Sequence, residues 1–303
     1  LSDLSELVRR LEGELGPAGG PPVALSGGIT NRNYRLSLGG RDCVLRLPGQ
    51  DTGLLGIDRV SERLAAERAA SLGIGPRLLH TDAECMVTAF VPGTTVDAER
   101  LRADPSQVAL ALRAFHDSAL VLPVRFWIPD LLGVYADTVT ERGGTLPGAF
   151  LRAQALVERI AAVLPLTEPV PCHNDLLPGN LIQVTDTILL VDWEYAGLGH
   201  RYFDLGNLAV NNEFDEDAER RLLEAYFEEP GLVPSATPTC RLSALRLFRL
   251  VSDAREGAWG VVQGLISELD FDFTAYADEH FERLERALAD PRQIEELLNA
   301  ATP

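Results

Sequence analysis

Bases are scarce in this sequence: 27 Lys and Arg stand against 45 Asp and Glu, for a formal charge of −18. So acidic a surface repels phosphate backbones, which argues against nucleic acid as a partner. The same field favours small cations and amines near a cleft, and it also serves plain solubility. Cysteine is sparse and scattered. Cys43, Cys85, Cys172 and Cys240 stand singly, with no C-x-x-C pair. A zinc site or redox dithiol therefore has little support, and reduced thiols of a cytoplasmic enzyme are the plain expectation. No apolar run reaches the ~18 residues of a membrane span, so no membrane insertion is expected. The opening Leu1–Ser2–Asp3 has no basic segment ahead of an apolar stretch, and no signal peptide is expected. What is present is ordinary: 303 residues, 46% hydrophobic and 24% charged. That suits one large soluble domain or two modest ones, and excludes a disordered chain, a fibre or a disulfide-rich miniprotein.

Hydrophobic spacing predicts an amphipathic helix over residues 4–15, followed by β-prone runs at 23–25, 33–38 and 43–47. Gly39–Gly40 between the last two reads as a hairpin turn. A helix over 59–72 is expected to end at Gly73, with short strands at 77–80 and 85–90. Pro92–Gly93 then breaks the chain, which places a boundary between a first lobe, 1–92, and a second, 93–303. Helices are expected over 106–122, 149–164 and 216–228, and several more over 241–300. Runs at 180–184 and 188–192 across a short polar turn read as a hairpin. The whole is an α+β chain, a small β-rich lobe before a larger, mainly helical one.

The chemistry concentrates in Cys172–Asp192, CHNDLLPGNLIQVTDTILLVD. Phosphoryl transfer needs a carboxylate that orients a hydroxyl and accepts its proton, and oxygen ligands that hold Mg²⁺ against nucleotide phosphates. Protein kinases supply them in H-R-D-x-x-x-x-N followed by D-F-G. Here His173-Asn174-Asp175, then Asn180, then Asp192-Trp193-Glu194 keep that order and spacing. Each piece alone is weak, because Asp and Asn are common in turns. Together they point to Asp175 as base and to Asn180 and Asp192 as metal ligands.

With those residues in view, the chain resembles the kinase-like phosphotransferases, a superfamily that holds the aminoglycoside phosphotransferases and the choline and ethanolamine kinases. The choline/ethanolamine kinase branch is the nearer match, from about Gly27 to Arg283. The resemblance implies a bilobal protein-kinase-like fold, with ATP and Mg²⁺ bound in the cleft between lobes. It implies that Gly28, Thr30 and Asn31 belong to a nucleotide loop, where glycine lets backbone N–H groups reach phosphate. Alone, Gly27–Gly28 reads as a hairpin turn. Arg46 stands where protein kinases place a strand lysine, and Glu62, preferred to Glu67, stands as its helix partner. A solvated helix face is the plainer reading of either acid. The resemblance also makes residues 86–93 the hinge, with adenine on backbone groups around Thr88 and Phe90. Asp204 would brace the catalytic loop, and Glu194 and Asn207 would face the acceptor.

The tail EGAWGVVQGLISELDFDFTAYADEHF carries the branch-specific signal. In the branch, Trp and Tyr here line a quaternary-ammonium pocket, a cation over π faces worth about 0.5–2 kcal/mol per ring. Trp259 and Tyr276 take those places, and both also read as core aromatics at helical spacing. One position departs from the pattern. In W-G-x-W, Trp259 takes the second tryptophan and Glu256 the first, so a carboxylate replaces one wall. His116 reads as a packed histidine, and His173 as a support of the loop. The expected activity is phosphorylation of a primary hydroxyl on a cationic alcohol, choline first and ethanolamine second, by a monomer or homodimer. The rivals are a kinase for thiamine or an aminoglycoside, and a non-catalytic nucleotide-binding scaffold. The scaffold reading is weakened because Asp175, Asn180 and Asp192 are all present.

Overall fold

The computed structural model describes residues 4–25, 31–49, 52–227, 236–267 and 269–302. Its first third builds one antiparallel sheet behind helix α1 (Leu4–Leu15). Strands β1 (Val23–Leu25), β2 (Arg32–Leu38), β3 (Arg41–Leu47), β4 (Leu78–Thr81) and β5 (Met86–Ala89) lie in the order β1-β2-β3-β5-β4. Leu38 pairs with Arg41, which leaves Gly39 and Gly40 as a two-residue hairpin loop. Both have positive φ, 56° and 74°, the conformation such a turn needs. Gly39 has a second reason to lack a side chain: a Cβ would lie 2.3 Å from the Leu15 carbonyl oxygen. Leu7, Val8 and Leu11 of α1 pack on Leu36, Leu38, Cys43 and Leu45 of the sheet.

Helix α2 (Arg59–Ser71) starts where Asp58 accepts the Ser61 N–H at 2.7 Å, and it stops before Gly73, whose φ is 73°. Its alanines Ala65, Ala66 and Ala69 do not join the sheet core. They pack in a second core with Ile188, Leu190 and Trp193. This ties the helix bearing Glu62 to the hairpin that precedes Asp192.

Past β5, the chain is mainly helical. It runs through β6 (Thr94–Thr95), α3 (Ala98–Ala103), α4 (Ser106–His116), α5 (Ile128–Glu141) and α6 (Gly148–Val163). Then come β7 (Val170–Cys172), β8 (Leu181–Val184), β9 (Thr187–Leu190), β10 (Gly197–Gly199), α7 (Arg201–Asn211) and α8 (Glu216–Phe227). The long α9 (Pro238–Ile266), α10 (Phe273–Leu288) and α11 (Pro291–Ala301) close it. Strands β6, β8 and β9 form one small sheet, and β7 pairs with β10. Helix α9 is the axis of the largest core, contacted by α5, α6, α7, α10 and α11. The architecture is the expected bilobal α+β fold.

Local boundaries differ in informative places. Helix α4 ends at His116, not at 122: Asp117 caps it, and Ala119 has φ 54°. The hairpin strand stops at Leu190, so Asp192 stands outside it with φ 62°. Helix α5 went unforeseen because Gly133 and its β-branched residues weaken the local signal; burial of Ile128, Leu132, Tyr135 and Val139 holds it. Among the described residues, no helix is long and apolar enough to cross a membrane.

Helices α7 and α9 meet backbone to backbone at Gly206, where a Cβ would lie 2.6 Å from the Phe248 carbonyl carbon and 2.8 Å from the Arg249 nitrogen. Neither helix can yield locally. Gly206→Ala is expected to cost about 1–3 kcal/mol of stability, the usual penalty of an overpacked core. A urea midpoint equal to that of the parent chain would refute this contact.

Candidate active site

The site begins with a buried carboxylate. Asp204, in the first turn of α7, has 0% exposure. It accepts the backbone N–H of His173 at 2.8 Å and that of Asn174 at 2.7 Å. His116 Nε2 sits 2.9 Å from the same carboxylate, and its other ring nitrogen 2.6 Å from the Tyr226 hydroxyl. Burial opposes ionisation of Asp204, yet the His116 hydrogen bond and charge and the loop N–H groups hold its pKa below the ordinary carboxylate value. His116 is therefore a packed histidine with a bracing task.

The bracket determines the loop after β7. Asn174 sits at φ 68°, a region that Asn tolerates better than most residues, and its amide donates to the Tyr195 carbonyl at 2.9 Å. His173 Nε2 donates to the Val191 carbonyl at 3.0 Å, and burial lowers the pKa of the ring. A neutral imidazole with its proton on Nε2 fits those contacts. Leu176 N–H is held by Asn207 Oδ1 at 2.5 Å. With residues 173, 174 and 176 pinned, Asp175 is presented between them.

Asp175 keeps 7% exposure. Asn180 Nδ2 donates to its carboxylate at 3.0 Å and to its carbonyl at 2.8 Å. The Val191 N–H bonds the Asn180 carbonyl at 3.0 Å, which sets Asp192 beside Asn180. Across from them, Asp192 pairs with Arg46 of β3, and Arg46 pairs with Glu62 of α2. Glu62 also receives Arg59 at 2.7 Å. Glu194 lies buried in the same group, taking Asn31 Nδ2 at 2.9 Å with Arg59 at 3.6 Å. Burial, followed by the charge of Asp192, raises the pKa of Glu194, with Arg46 opposing. The chain has no lysine, so every fixed cation here is a guanidinium. Asn180 spends its amide N–H on Asp175 and keeps Oδ1, and Asp192 offers carboxylate oxygens. That hard-oxygen pair suits Mg²⁺.

The aromatic residues gather on α9 and α10. Trp259 stands edge-on to Tyr276 at 5.4 Å and to Phe273 at 5.8 Å. Its indole N–H donates to the Tyr195 hydroxyl at 2.8 Å. Tyr276 donates its hydroxyl to Glu256 at 2.9 Å.

One expectation needs correction. Asn207 has no exposed surface, and its amide donates to Ser252 at 2.9 Å and Glu256 at 3.4 Å; both ends of the side chain are used inside, so it braces the loop and does not face an acceptor. Thr88 lies in an interior strand, in register with Val44 on one side and Leu78 on the other. Phe90 donates its N–H to the Asp42 carbonyl at 2.9 Å. The Phe90 N–H is therefore engaged within the sheet. Gly28 and Thr30 lie outside the described residues. Sequence reasoning also missed Arg255, a buried guanidinium whose Nη1 donates to Glu256 at 2.8 Å. The only signal was an Arg-Glu pair inside a run of otherwise small and apolar helix positions.

The profile of the Phosphotransferase enzyme family (APH) matches residues 23–242. The chain belongs to that family. It is also 27% identical over 297 residues to "Probable choline kinase 1" of Arabidopsis thaliana, an alignment covering 86% of this chain and 85% of that one. Among solved structures, a choline/ethanolamine kinase family protein from Mesorhizobium loti superposes with TM-score 0.79 at 28% identity, covering 98% of each chain. The choline kinase LicA of Streptococcus pneumoniae shares the fold, with TM-score 0.78 at 22% identity over 94% of this chain and 99% of that one. The family match spans the His173–Asp192 segment that the geometry organises around Asp175.

Burial above all, then Glu256, Asp192 and Glu194, pushes the Asp175 carboxyl well above the usual carboxylate range, with Arg255 opposing. The unfolded chain ionises this group near ~3.9. Above the raised folded-state pKa, the ionised carboxylate therefore costs stability; as pH falls through that pKa the penalty fades, and below ~3.9 it is gone. Asp175→Asn should raise the urea midpoint at pH 8, with a gain that shrinks toward pH 4. A variant less stable than the parent at pH 8 contradicts this assignment.

Proposed function

We propose that this chain transfers the γ-phosphoryl group of ATP to the primary hydroxyl of a small cationic amino alcohol, choline or ethanolamine being the acceptors its relatives suggest. The carrying observation is the convergence on Asp175: a buried carboxylate held by Asn180, with Asp192 adjacent and the Arg46–Glu62 pair opposite. In this reading, residues 1–92 bind the nucleotide and 93–303 supply catalysis and the acceptor pocket.

Asn180 and Asp192 would hold Mg²⁺, and Arg46, kept in place by Glu62, would meet nucleotide phosphate. Bound there, magnesium and ATP supply the electrophilic γ-phosphorus and a neutralised leaving group. Asp175 takes the acceptor O–H as hydrogen-bond donor and aligns its oxygen. As the new O–P bond forms, the bond between the β,γ-bridging oxygen and the γ-phosphorus breaks, its electron pair leaves with ADP, and the hydroxyl proton passes to Asp175. The raised pKa of Asp175 suits that proton transfer. Glu194, Trp259 and Tyr276 would form the wall facing the ammonium group, carboxylate and π faces together favouring a cation.

A coupled ADP-release assay with Mg²⁺ and a panel of alcohols tests this directly. Asp175→Ala should lower kcat by ~10²–10⁴-fold while nucleotide affinity is retained. Turnover within ~10-fold of the parent enzyme removes Asp175 from the role of base.

A further inference from the structure

The cysteines stand singly in the sequence, yet one of them has metal-ligand neighbours in the fold. The connection from β4 to β5 brings His80, Asp82 and Cys85 together, with one donor atom from each within 4.8 Å of the others. His80 Nε2 lies 3.1 Å from Asp82 Oδ2, and the Cys85 thiol bonds the same carboxylate. The backbone here is fixed before any ion arrives. Asp82 Oδ1 accepts the N–H groups of Glu84 at 2.8 Å and Cys85 at 2.9 Å, and the Asp82 N–H bonds the Cys85 carbonyl at 3.0 Å. A similar grouping of His116, Cys172 and Asp204 is different in kind, because its histidine and carboxylate are spent on bracing the loop before Asp175.

Two features outside the three residues point the same way. Glu14, near the end of α1, places its carboxylate 2.8 Å from His80 Nδ1. A carboxylate on Nδ1 holds the proton there, leaves Nε2 as the ligating nitrogen and sets the ring's orientation, which is the usual support of a metal-bound histidine. A cavity of about 290 Å³, lined by Asp82, Ala83, Cys85 and Met86 together with Arg46 and Glu62, gives an entry path and room for a water ligand. Arg10 is the competing cation. Its Nη2 bonds Asp82 Oδ2 at 2.7 Å, but the side chain is 43% exposed and also pairs with Glu84, so it can yield one carboxylate and keep the other.

We propose that His80, Asp82 and Cys85 form a three-ligand site for Zn²⁺, with water in the fourth position, and that the ion braces the connection leading into β5. A set of one nitrogen, one sulfur and one carboxylate suits a borderline metal, whereas Mg²⁺ suits the oxygen pair of Asn180 and Asp192. A ligand set with a single cysteine needs no C-x-x-C pair. Zinc bonds of ~2.0–2.3 Å in a tetrahedron put ligand atoms ~3.3–3.8 Å apart, a contraction that side-chain rotation can supply. Burial and then the charge of Asp82 push the Cys85 thiol up to about 12. Zinc reverses that balance: a coordinating thiol gives up its proton, which leaves to solvent as the Zn–S bond forms. Thiolate and carboxylate then match the two charges of the ion. This assignment stands apart from the kinase reading and does not require it.

Equilibrium dialysis of the full chain against Zn²⁺ in excess Mg²⁺ tests it. The chain should retain one Zn²⁺ at micromolar free zinc, and Co²⁺ in its place should give a near-ultraviolet thiolate-to-metal absorption band. Cys85→Ser should remove that band, since the thiolate is its source. Glu14→Gln leaves all three ligands in place and should weaken zinc by ~10–100-fold, the usual cost of losing the partner of a ligating histidine. Zn²⁺ should raise the urea midpoint of the parent chain and leave that of Cys85→Ser unchanged, because only a folded state that binds the ion gains from it. If the parent retains no zinc under these conditions, the site is overturned. If Cys85→Ser keeps the cobalt band, the ion sits on another thiol and the assignment falls. Should Cys85→Ser not fold, Glu14→Gln, a change at an exposed residue, decides: weakened zinc supports the site, and unchanged affinity overturns it.

Discussion

Asp204 accepts two successive backbone N–H groups, those of His173 and Asn174, from a position without solvent. The rest of the site depends on this bracket. A carboxylate taken out of water is costly unless nearly all its lone pairs are used, and here His116 and the loop use them. The return is geometric. Asn174 is held at a positive φ that costs on the order of a kcal/mol or more, and Asp175 then emerges between residues that cannot move. Asn207 adds a third tether at Leu176 and links it to α9 through Ser252. The loop around Asp175 is thus positioned by helix side chains and needs little regular structure of its own.

A second constraint is charge. Five acids, Glu62, Asp175, Asp192, Glu194 and Glu256, share the site with three arginines, Arg46, Arg59 and Arg255. The arginines divide into two groups. Arg46 and Arg59 bind the acids near the first lobe, whereas Arg255 answers Glu256 and Asp175 from below. Acids left in excess raise one another's affinity for protons, as Asp175 and Glu194 show. They also make the site receptive to positive charge, whether a metal ion or an ammonium group. The acidity of the whole chain therefore acts locally as well as at the surface.

The aromatic residues expected to line a cation pocket are tied to protein at their polar ends, Trp259 to Tyr195 and Tyr276 to Glu256. Glu256 in place of an aromatic wall does not stand open to solvent. It anchors Arg255, Tyr276 and Asn207 at once.

The local order of chemical groups was legible from residues alone. Asp175, Asn180 and Asp192 keep a spacing that phosphoryl transfer requires, and the hairpin between them is written in alternating apolar runs. The pairing of Arg46 with Glu62 was readable through the family resemblance, which set Arg46 at the strand-lysine position and Glu62 at the start of the next helix. What the chain order could not express was which groups are spent on one another. That Asn207 faces inward, that Phe90 has given its N–H to Asp42, and that Arg255 lies buried against Glu256 are consequences of α7, α9 and β3 meeting across distant stretches of chain. Residue type and spacing determine the available chemistry, because they are properties of the chain. Only packing decides which hydrogen-bonding groups remain for a ligand, because burial and partnership exist only between elements brought together.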